Sequence, residues 1–231
     1  KNKLPLKYSG FSTCFRKESG SHGKDSAGIF RVHQFEKIEQ FILTDSKGTE
    51  SWALFEELLG NTQEFYSSLK IPYICVDIPS GAINNSASRK IDLLGWFPSS
   101  GSYKELVSCS NCTDFQSKRM NIELFPASEK FNRKFVHMLN STLCATTRVI
   151  CCILENNQTN LGIKIPDVIR SYVGLSFFPF NQFSEIIEFF LFRAVPFFFN
   201  KHKQCLYIRC TDSTNLTSFS DTRWSLFCQF F

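Results

Sequence analysis

The sequence has no long apolar run that is free of charges, and its first residues contain no apolar core. The most apolar stretch, residues 175–200, is interrupted by prolines and charged residues, namely Pro179, Glu185, Glu188, Arg193 and Pro196. A membrane-spanning helix needs about 20 mostly apolar residues, and a secretory signal needs an apolar segment that KNKLPLKYSG does not contain. We therefore expect a cytoplasmic protein with no membrane partner. A membrane or interaction role for the last residues is the alternative.

Blocks of one charge and sustained heptad repeats are also lacking. The 231 residues include 26 Lys and Arg and 21 Asp and Glu, and the net charge is +5. Because the basic residues are scattered, this balance permits a polyanionic partner such as RNA without arguing for one. A hydrophobic content of 43% and a charged content of 20% are typical of a globular chain. The length suits one domain, or one domain with an appendage.

Cysteine is abundant, but its spacing is not typical of a disulfide framework. Of the ten cysteines, Cys151 and Cys152 are adjacent, and we expect free thiols in a reducing compartment. Cys109 and Cys112 resemble half of a zinc site, yet no second pair follows at a suitable spacing, and only His137 offers a third ligand. Packed free thiols are the favoured interpretation, and zinc is the alternative.

The most informative segment is residues 13–39, TCFRKESGSHGKDSAGIFRVHQFEKIE. Polar and apolar residues alternate on either side of a Gly-containing loop at residues 19–27, which predicts two antiparallel strands. Arginines suit phosphate oxygens, a carboxylate suits the amino edge of a purine, and an aromatic ring offers a stacking surface. The segment therefore predicts a nucleotide site built around one hairpin.

Residues 1–174 are predicted to form one α+β unit, an antiparallel sheet flanked by helices. Strands are predicted over 12–18, 28–43, 73–78, 90–97, 103–108 and 134–139, and helices over 51–69, 142–155 and 166–172. The composition changes after Gly174, since the last 57 residues hold 14 of the 26 phenylalanines. We interpret residues 175–231 as a separate, poorly ordered tail. It is either non-native sequence, such as translated intron, or part of a shortened paralogue.

Four segments in one order resemble class II aminoacyl-tRNA synthetases, and among them the eukaryotic cytosolic seryl-tRNA synthetases. They are LPLKYSGFSTCFRKESGSHGKD, FRVHQFEKIEQF, WFPSSGSYKELVSCSNCTDFQ and LNSTLCATTRVICCILEN. A single FRxE would be a weak signal, whereas four ordered segments from Lys3 to Gly174 are a specific one. The first segment resembles the second signature motif of the class, and ATTRVICC resembles the third.

The resemblance implies an ATP site. Arg16 would contact the α-phosphate and the substrate carboxylate, Glu18 the adenine amino group, Phe35 the adenine ring, and Arg31 the β- and γ-phosphates. Arg16 and Arg148 are the implied catalytic residues. The implied ATP-binding set is Arg16, Lys17, Glu18, Arg31, Val32, His33, Gln34, Phe35, Glu105, Leu106, Val107, Ser108 and Arg148. An arginine such as Arg148 inside an apolar helix is costly without an anionic partner, which independently favours a functional role.

The resemblance also implies a serine site and a Mg²⁺ site. Arg16, Glu39, Asn140 and Thr142 would bind serine, Glu39 through its α-amino group and the last two through its hydroxyl. Glu105 and Ser108 would bind Mg²⁺, and carboxylate and hydroxyl oxygens are the ligands that a hard cation prefers. The alternative for Glu39 is an ordinary surface glutamate.

Several parts of the family pattern are missing from the sequence. The coiled-coil arm that grips tRNA(Ser), the first motif that forms the homodimer interface, and a Thr-x-Glu segment of the serine pocket are not found. The region 121–133 also departs from the pattern. We therefore expect the catalytic core of a seryl-tRNA synthetase, incomplete at its N-terminus, that activates L-serine with ATP and transfers it to tRNA(Ser). The isolated chain is expected to be weakly active or inactive. The alternative is a non-catalytic synthetase-like paralogue that binds a nucleotide or a protein partner.

Overall fold

The computed structural model describes residues 4–17, 28–124 and 134–180, together with the backbone of residues 206–209. A seven-stranded sheet forms its centre. The strands are β1 (Leu6–Phe15), β2 (Gln34–Thr44), β3 (Tyr73–Asp77), β4 (Arg89–Phe97), β5 (Ser102–Asn111), β6 (His137–Ala145) and β9 (Leu206–Arg209). Their order in the sheet is β3-β4-β5-β6-β2-β1-β9. Every pairing is antiparallel except that of β9 with β1. The predicted α+β class is confirmed.

Helices pack on one face of this sheet. They are α1 (Glu50–Ser68), α2 (Phe115–Met120), α3 (Thr146–Asn156) and α4 (Arg170–Val173), and a 3-10 turn at Asp167–Ile169 precedes α4. The apolar stripe of α1 meets Ile42, Ile91 and Leu139 of the sheet. The apolar side of α3 forms a larger cluster with residues such as Ile38 and Leu93. Because side chains alternate along a strand, burying this face leaves the intervening, mostly polar side chains on the opposite face.

Two bulges interrupt the strand pairs on either side of the β5–β6 pairing. In the pairing of β4 with β5, Leu93 lies opposite Val107 and Leu94 lies opposite Glu105, so Leu106 is an extra residue. In the pairing of β2 with β6 the register also shifts, between Ile38 and Glu39. A bulge re-aims the side chains that follow it and is common beside functional sites.

Some element boundaries differ from the sequence prediction. The strand predicted from residue 28 begins only at Gln34, because residues 28–33 form turns and bends. The prediction of helix for residues 142–145 is wrong, since they end β6 and pair with β2, and α3 begins at Thr146. Strand pairing overrides local preference there, since an apolar run fits a buried strand and a buried helix equally well. The sequence pattern gives no indication of the short helix α2.

Ordered structure continues past Gly174. Residues Gly162–Lys164 form β7 and pair with β8, Phe177–Pro179, in a small second sheet. Phe178 is buried in the larger core cluster. The folded unit therefore extends at least to residue 180, beyond the boundary drawn from composition. Most of the predicted tail lies outside the described residues, apart from β9, whose backbone pairs with Tyr8–Phe11. No helix in the described part of the chain is both long and apolar enough to cross a membrane.

Candidate active site

A solvent-open pocket lies where β1, β2, β5 and β6 meet the first turn of α3. Its lining is rich in cations and contains two aromatic rings. The lining residues are Arg16, Phe30, Arg31, Val32, Phe35, Lys37, Glu105, Leu106, Thr142, Ala145, Thr147 and Arg148. Residues far apart in the sequence, at 16, 31, 105 and 148, thus face one space.

Arg16 is positioned by the pairing of β1 with the start of β2. Its backbone N–H donates to the carbonyl of His33 at 2.8 Å, and the His33 ring Nδ1 lies 3.2 Å from the carbonyl oxygen of Arg16. The Arg16 guanidinium carbon lies 5.2 Å from the centre of the Phe35 ring. Arg31 lies on the bend before β2 and is exposed. The hairpin therefore delivers two guanidinium groups and one ring to the pocket.

Arg148 enters the pocket from the first turn of α3 and is held by Glu105. Its Nη1 donates to the backbone carbonyl of Glu105 at 2.9 Å and lies 3.4 Å from the carboxylate Oε1. The Arg148 side chain is only 13% exposed, so this contact supplies the partner that burial of a cation requires.

Positively charged side chains outnumber negatively charged ones in the lining of the pocket. Burial lowers the pKa of Arg148, Glu105 raises it in part, and the positive charges of Arg16 and Arg31 lower it further. Three guanidinium groups are therefore close enough to repel one another. An anionic ligand such as a polyphosphate would relieve that repulsion, because charge-assisted hydrogen bonds to arginine are strong.

The bulge at Leu106 places Glu105 and Ser108 on the same face of β5. Residues three apart on a regular strand point to opposite faces. Here Glu105 is opposite Leu94 and Ser108 is opposite Asp92, and these two partners lie on one face of β4. Leu106 lines the pocket. Burial, followed by the charge of Glu105, raises the pKa of Asp92, whereas Lys90 and the nearby Ser108 hydroxyl lower it in part.

Glu39 lies behind the pocket lining, in a buried polar network. The Thr142 hydroxyl donates to Glu39 Oε2 at 2.9 Å, and Lys37 Nζ lies 2.9 Å from the same oxygen. Burial lowers the pKa of Lys37, but the attraction and hydrogen bond of Glu39 outweigh it, so the net shift is upward. Glu39 is only 6% exposed, so it is not an ordinary surface glutamate.

Not every candidate from the sequence lines the pocket. Asn140 lies two residues before Thr142 on the same face of β6, is buried, and directs its Nδ2 to Cys112 Sγ at 3.6 Å. The candidates near the pocket but outside its lining are Lys17, His33, Gln34, Glu39, Val107, Ser108 and Asn140. Glu18 lies outside the described residues.

Sequence reasoning missed four lining residues: Phe30, Lys37, Ala145 and Thr147. Phe30 is the most prominent. Its ring packs edge-on against Phe97 at 5.1 Å, while Arg148 lies 4.8 Å from its centre and Lys104 lies 5.1 Å from it. Both cations are close enough to be attracted by the ring. The only sequence signal was an aromatic residue directly before Arg31.

The cysteine pair suggested as half of a zinc site lies in the core. Cys109 and Cys112 are buried free thiols, and His137 bonds instead to Ser51 through Nδ1, at 3.0 Å from Oγ. Within residues 4–17, 28–124 and 134–180, no group of three potential metal ligands from His, Cys, Asp and Glu is found.

The antiparallel sheet, the helices on one face of it and the arginine-lined pocket are typical of one class of protein, the class II tRNA synthetases. The sequence matches the tRNA synthetase class II core domain (G, H, P, S and T) over residues 1–157, and the chain belongs to that family. Within the family it is similar to the cytoplasmic serine--tRNA ligases. It is 59% identical to that of Dictyostelium discoideum over 77% of this chain and 39% of the relative, and 56% identical to that of Schizosaccharomyces pombe over 78% and 40%. The chain thus spans about two fifths of the length of these relatives.

Two solved structures of serine--tRNA ligases are also similar to this chain. The cytoplasmic serine-tRNA ligase of Naegleria fowleri, solved with AMP, has a TM-score of 0.74 and 54% identity over 77% of this chain and 42% of that one. The seryl-tRNA synthetase of Pyrococcus horikoshii, solved with ATP, has a TM-score of 0.71 and 45% identity over 76% and 39%.

Proposed function

We propose that this chain carries the ATP-binding, serine-activating pocket of a cytoplasmic serine--tRNA ligase, whose second substrate is tRNA(Ser). The observation that carries the proposal is the convergence of Arg16, Arg31 and Arg148 on one pocket that also holds Phe35 and Glu105. The similarity to serine--tRNA ligases, including structures solved with AMP and ATP, supports it.

The arginines bind and orient the triphosphate. Arg16 lies beside the ring of Phe35 and close enough to Lys37 to affect its pKa, so it can reach the α-phosphate and a serine carboxylate together. Arg31 and Arg148 take the outer phosphates, and the adenine stacks on Phe35. The planar fork of arginine matches phosphate and carboxylate oxygens in pairs, which fixes their direction as well as their charge. Lys17, Glu18, Val32, His33, Gln34, Leu106 and Val107 complete the proposed ATP set.

Serine is held by the polar network next to the arginines. The Glu39 carboxylate attracts the α-amino group, and Thr142 with Asn140 receives the side-chain hydroxyl. A pocket built to hydrogen-bond a hydroxyl rejects a substrate without one, because its own polar groups would stay unpaired.

Glu105 and Ser108 fit a Mg²⁺ ion, because the bulge puts a carboxylate and a hydroxyl on one face of β5 and Mg²⁺ prefers oxygen ligands. When bound, the ion neutralises charge on the phosphates. These two residues would hold it, and Arg148 would orient Glu105 through its two contacts.

In this reaction the main role of the protein is to position the substrates. A serine carboxylate oxygen forms a bond to the α-phosphorus, the bond to the pyrophosphate breaks, and seryl adenylate remains. A hydroxyl of the tRNA terminus then takes the seryl group, and AMP leaves. Little proton transfer is needed in the first step, so bringing two anions together and stabilising their charge supplies the catalysis. The arginines of the pocket do both.

ATP binding by the full 231-residue chain, measured by calorimetry, tests the proposal. Arg16→Ala is expected to weaken binding at least about tenfold, since a charge-assisted hydrogen bond contributes about 1.5–3 kcal/mol. Arg89→Ala is the matched control, because Arg89 pairs with Asp77 and Glu56 away from the pocket. Equal binding by wild type and Arg16→Ala contradicts the proposed pocket.

Serine-dependent exchange of pyrophosphate into ATP tests the amino-acid half of the site. Exchange that is lost in Glu39→Gln supports serine activation by this pocket. ATP binding without any exchange in the wild type favours a nucleotide-binding paralogue over an enzyme.

A further inference from the structure

One carboxylate beside the proposed cation site has no role in the function described so far. Asp92 lies on β4 directly opposite Ser108 on β5, and its side chain is 7% exposed. Its Oδ2 faces Lys90 Nζ at 3.2 Å. Its Oδ1 is buried and has no hydrogen-bond partner in the described part of the chain.

An acceptor without a donor is uncommon in a folded interior. Buried polar atoms are nearly always paired, and leaving one unpaired is unfavourable. Such an atom often becomes satisfied when a ligand is bound. The candidate donor must lie on the same face, and the residue opposite Asp92 is Ser108. Ser108 is also one of the groups that lower the pKa of Asp92, so its hydroxyl lies close to this carboxylate.

The chemistry of a hydroxyl ligand requires an acceptor at this place. When a serine oxygen binds a cation through a lone pair, its hydrogen points away from the ion and needs an acceptor. Groups that accept from a ligating side chain fix its orientation and raise its basicity. Because cross-strand neighbours have Cβ atoms only about 4.5–5.5 Å apart, a carboxylate opposite Ser108 can accept that hydrogen bond.

We propose that Asp92 is a positioning residue that accepts the Ser108 hydrogen bond through Oδ1 and so presents the Ser108 oxygen to a divalent cation shared with Glu105. This inference rests on the proposed function, because the cation arrives with ATP. Asp92 itself does not touch the ion. It acts through Ser108, and the bulge at Leu106 makes the arrangement possible by placing Glu105 on the same face.

Mn²⁺ binding in the presence of ATP, followed by the electron paramagnetic resonance signal of free Mn²⁺, tests the proposal in the full chain. Mn²⁺ is the probe because it shares the oxygen ligands of Mg²⁺. Asp92→Asn keeps the shape of the side chain and removes its charge. It is expected to weaken Mn²⁺ binding about 10- to 100-fold, with ATP affinity in the absence of the metal unchanged. Asp77→Asn is the matched control, because Asp77 pairs with Arg89 on the outer strand β3.

A double-mutant cycle separates positioning from a general structural effect. If Asp92 acts through Ser108, Asp92→Asn causes little further loss of Mn²⁺ affinity when Ser108→Ala is already present. Fully additive losses overturn the proposal, as does Mn²⁺ binding by Asp92→Asn that equals the wild type. Thermal unfolding monitors the fold. If the Asn variant does not fold, Asp92→Ala, which removes the acceptor oxygen, takes its place under the same criterion.

The two proposals fail in different ways. A wild-type chain that binds neither ATP nor Mn²⁺ with ATP overturns the proposed function, and this inference with it. A wild type that binds both, with Asp92→Asn indistinguishable from it, overturns only the role of Asp92.

Discussion

Gly95 leaves the space that the bulged Leu106 occupies. A Cβ at position 95 would lie 2.4 Å from Leu106 Cδ1 and 3.3 Å from Cys152 Sγ. Leu106 is 2% exposed, so it has little room to move aside. This contact links the strand β4 to the shape of the pocket, because Leu106 is one of the lining residues.

Gly95→Ala is therefore expected to destabilise the fold by about 1–3 kcal/mol, the usual cost of overpacking a core, and to weaken ATP binding by displacing Leu106. Urea unfolding measures the first effect and calorimetry the second. Gly60→Ala is the matched control, because Gly60 lies in α1 and an added Cβ there meets nothing within 4 Å. It is expected to stabilise the helix by about 0.5–1 kcal/mol. Equal stability of the two variants contradicts the packing at Leu106.

The bulge also marks the limit of prediction from the sequence. Helix α1 and strands β3, β4 and β5 could be located because their apolar residues recur at helical or strand spacing. Glu105 and Ser108, three residues apart, would point to opposite faces of a regular strand. Only an extra residue in the strand reconciles them. Leu106 followed by Val107 carries no local sign of this, because both residues are apolar and both are buried.

Long-range pairing explains the other differences. The first residues of the predicted third-motif helix belong to β6 because β2 offers them a strand partner. Phe30 contributes to the pocket only because Phe97, Lys104 and Arg148 meet around it. Neither fact is encoded in the neighbouring residues. Arg148 was easier to identify, because a buried cation needs a partner wherever the chain places it.

Arg148→Lys should weaken ATP binding about tenfold while the fold remains intact. Lysine keeps the charge but cannot donate in the plane to the Glu105 carbonyl and reach a phosphate at once, and the lost charge-assisted hydrogen bond is worth about 1.5 kcal/mol. Calorimetric titration with ATP gives the affinity. Arg119→Lys serves as the control, since Arg119 stacks on Phe115 in α2, outside the pocket. Unchanged affinity in Arg148→Lys would show that the fork of Arg148 does not hold a phosphate.

His137 is expected to make stability depend on pH. Burial lowers its pKa, and the charges of Asp114 and Asp45 raise it only in part. Its folded pKa is thus below the unfolded value of about 6.5, so the unfolded chain binds more protons in that window. The contribution of His137 to the free energy of unfolding is fully present above about pH 6.5. It is lost as the pH drops toward the folded pKa. The Nδ1 of His137 contacts the Ser51 hydroxyl and so joins β6 to α1.

His137→Asn should reduce that dependence. Urea unfolding of both chains between about pH 7.5 and 5 supplies the comparison, and the quantity of interest is the difference between them. The wild type is expected to lose more stability over this range than the variant. Parallel curves would mean that the pKa of His137 is the same in the folded and the unfolded chain.

Alkylation by iodoacetamide should distinguish the seven cysteines in the described part of the chain. Burial raises the pKa of Cys109 to about 12 and that of Cys151 to about 11. Their thiolate fractions at about pH 8 are therefore on the order of one in ten thousand and one in a thousand. Cys75 is exposed on β3. Peptide mass spectrometry is expected to find Cys75 modified first, and Cys109 only after unfolding in urea.

The same measurement decides the zinc alternative for Cys109 and Cys112. A bound metal would protect both thiols, and a chelator would then increase their reactivity. Packed thiols are instead protected by burial, so EDTA is expected to leave the order of modification unchanged. Rapid labelling of Cys109 in the native chain would mean that β5 is not packed against α1, as the apolar cluster of Ile42, Leu54 and Cys109 requires. If EDTA alone makes the labelling of Cys109 and Cys112 faster, these two thiols bind a metal.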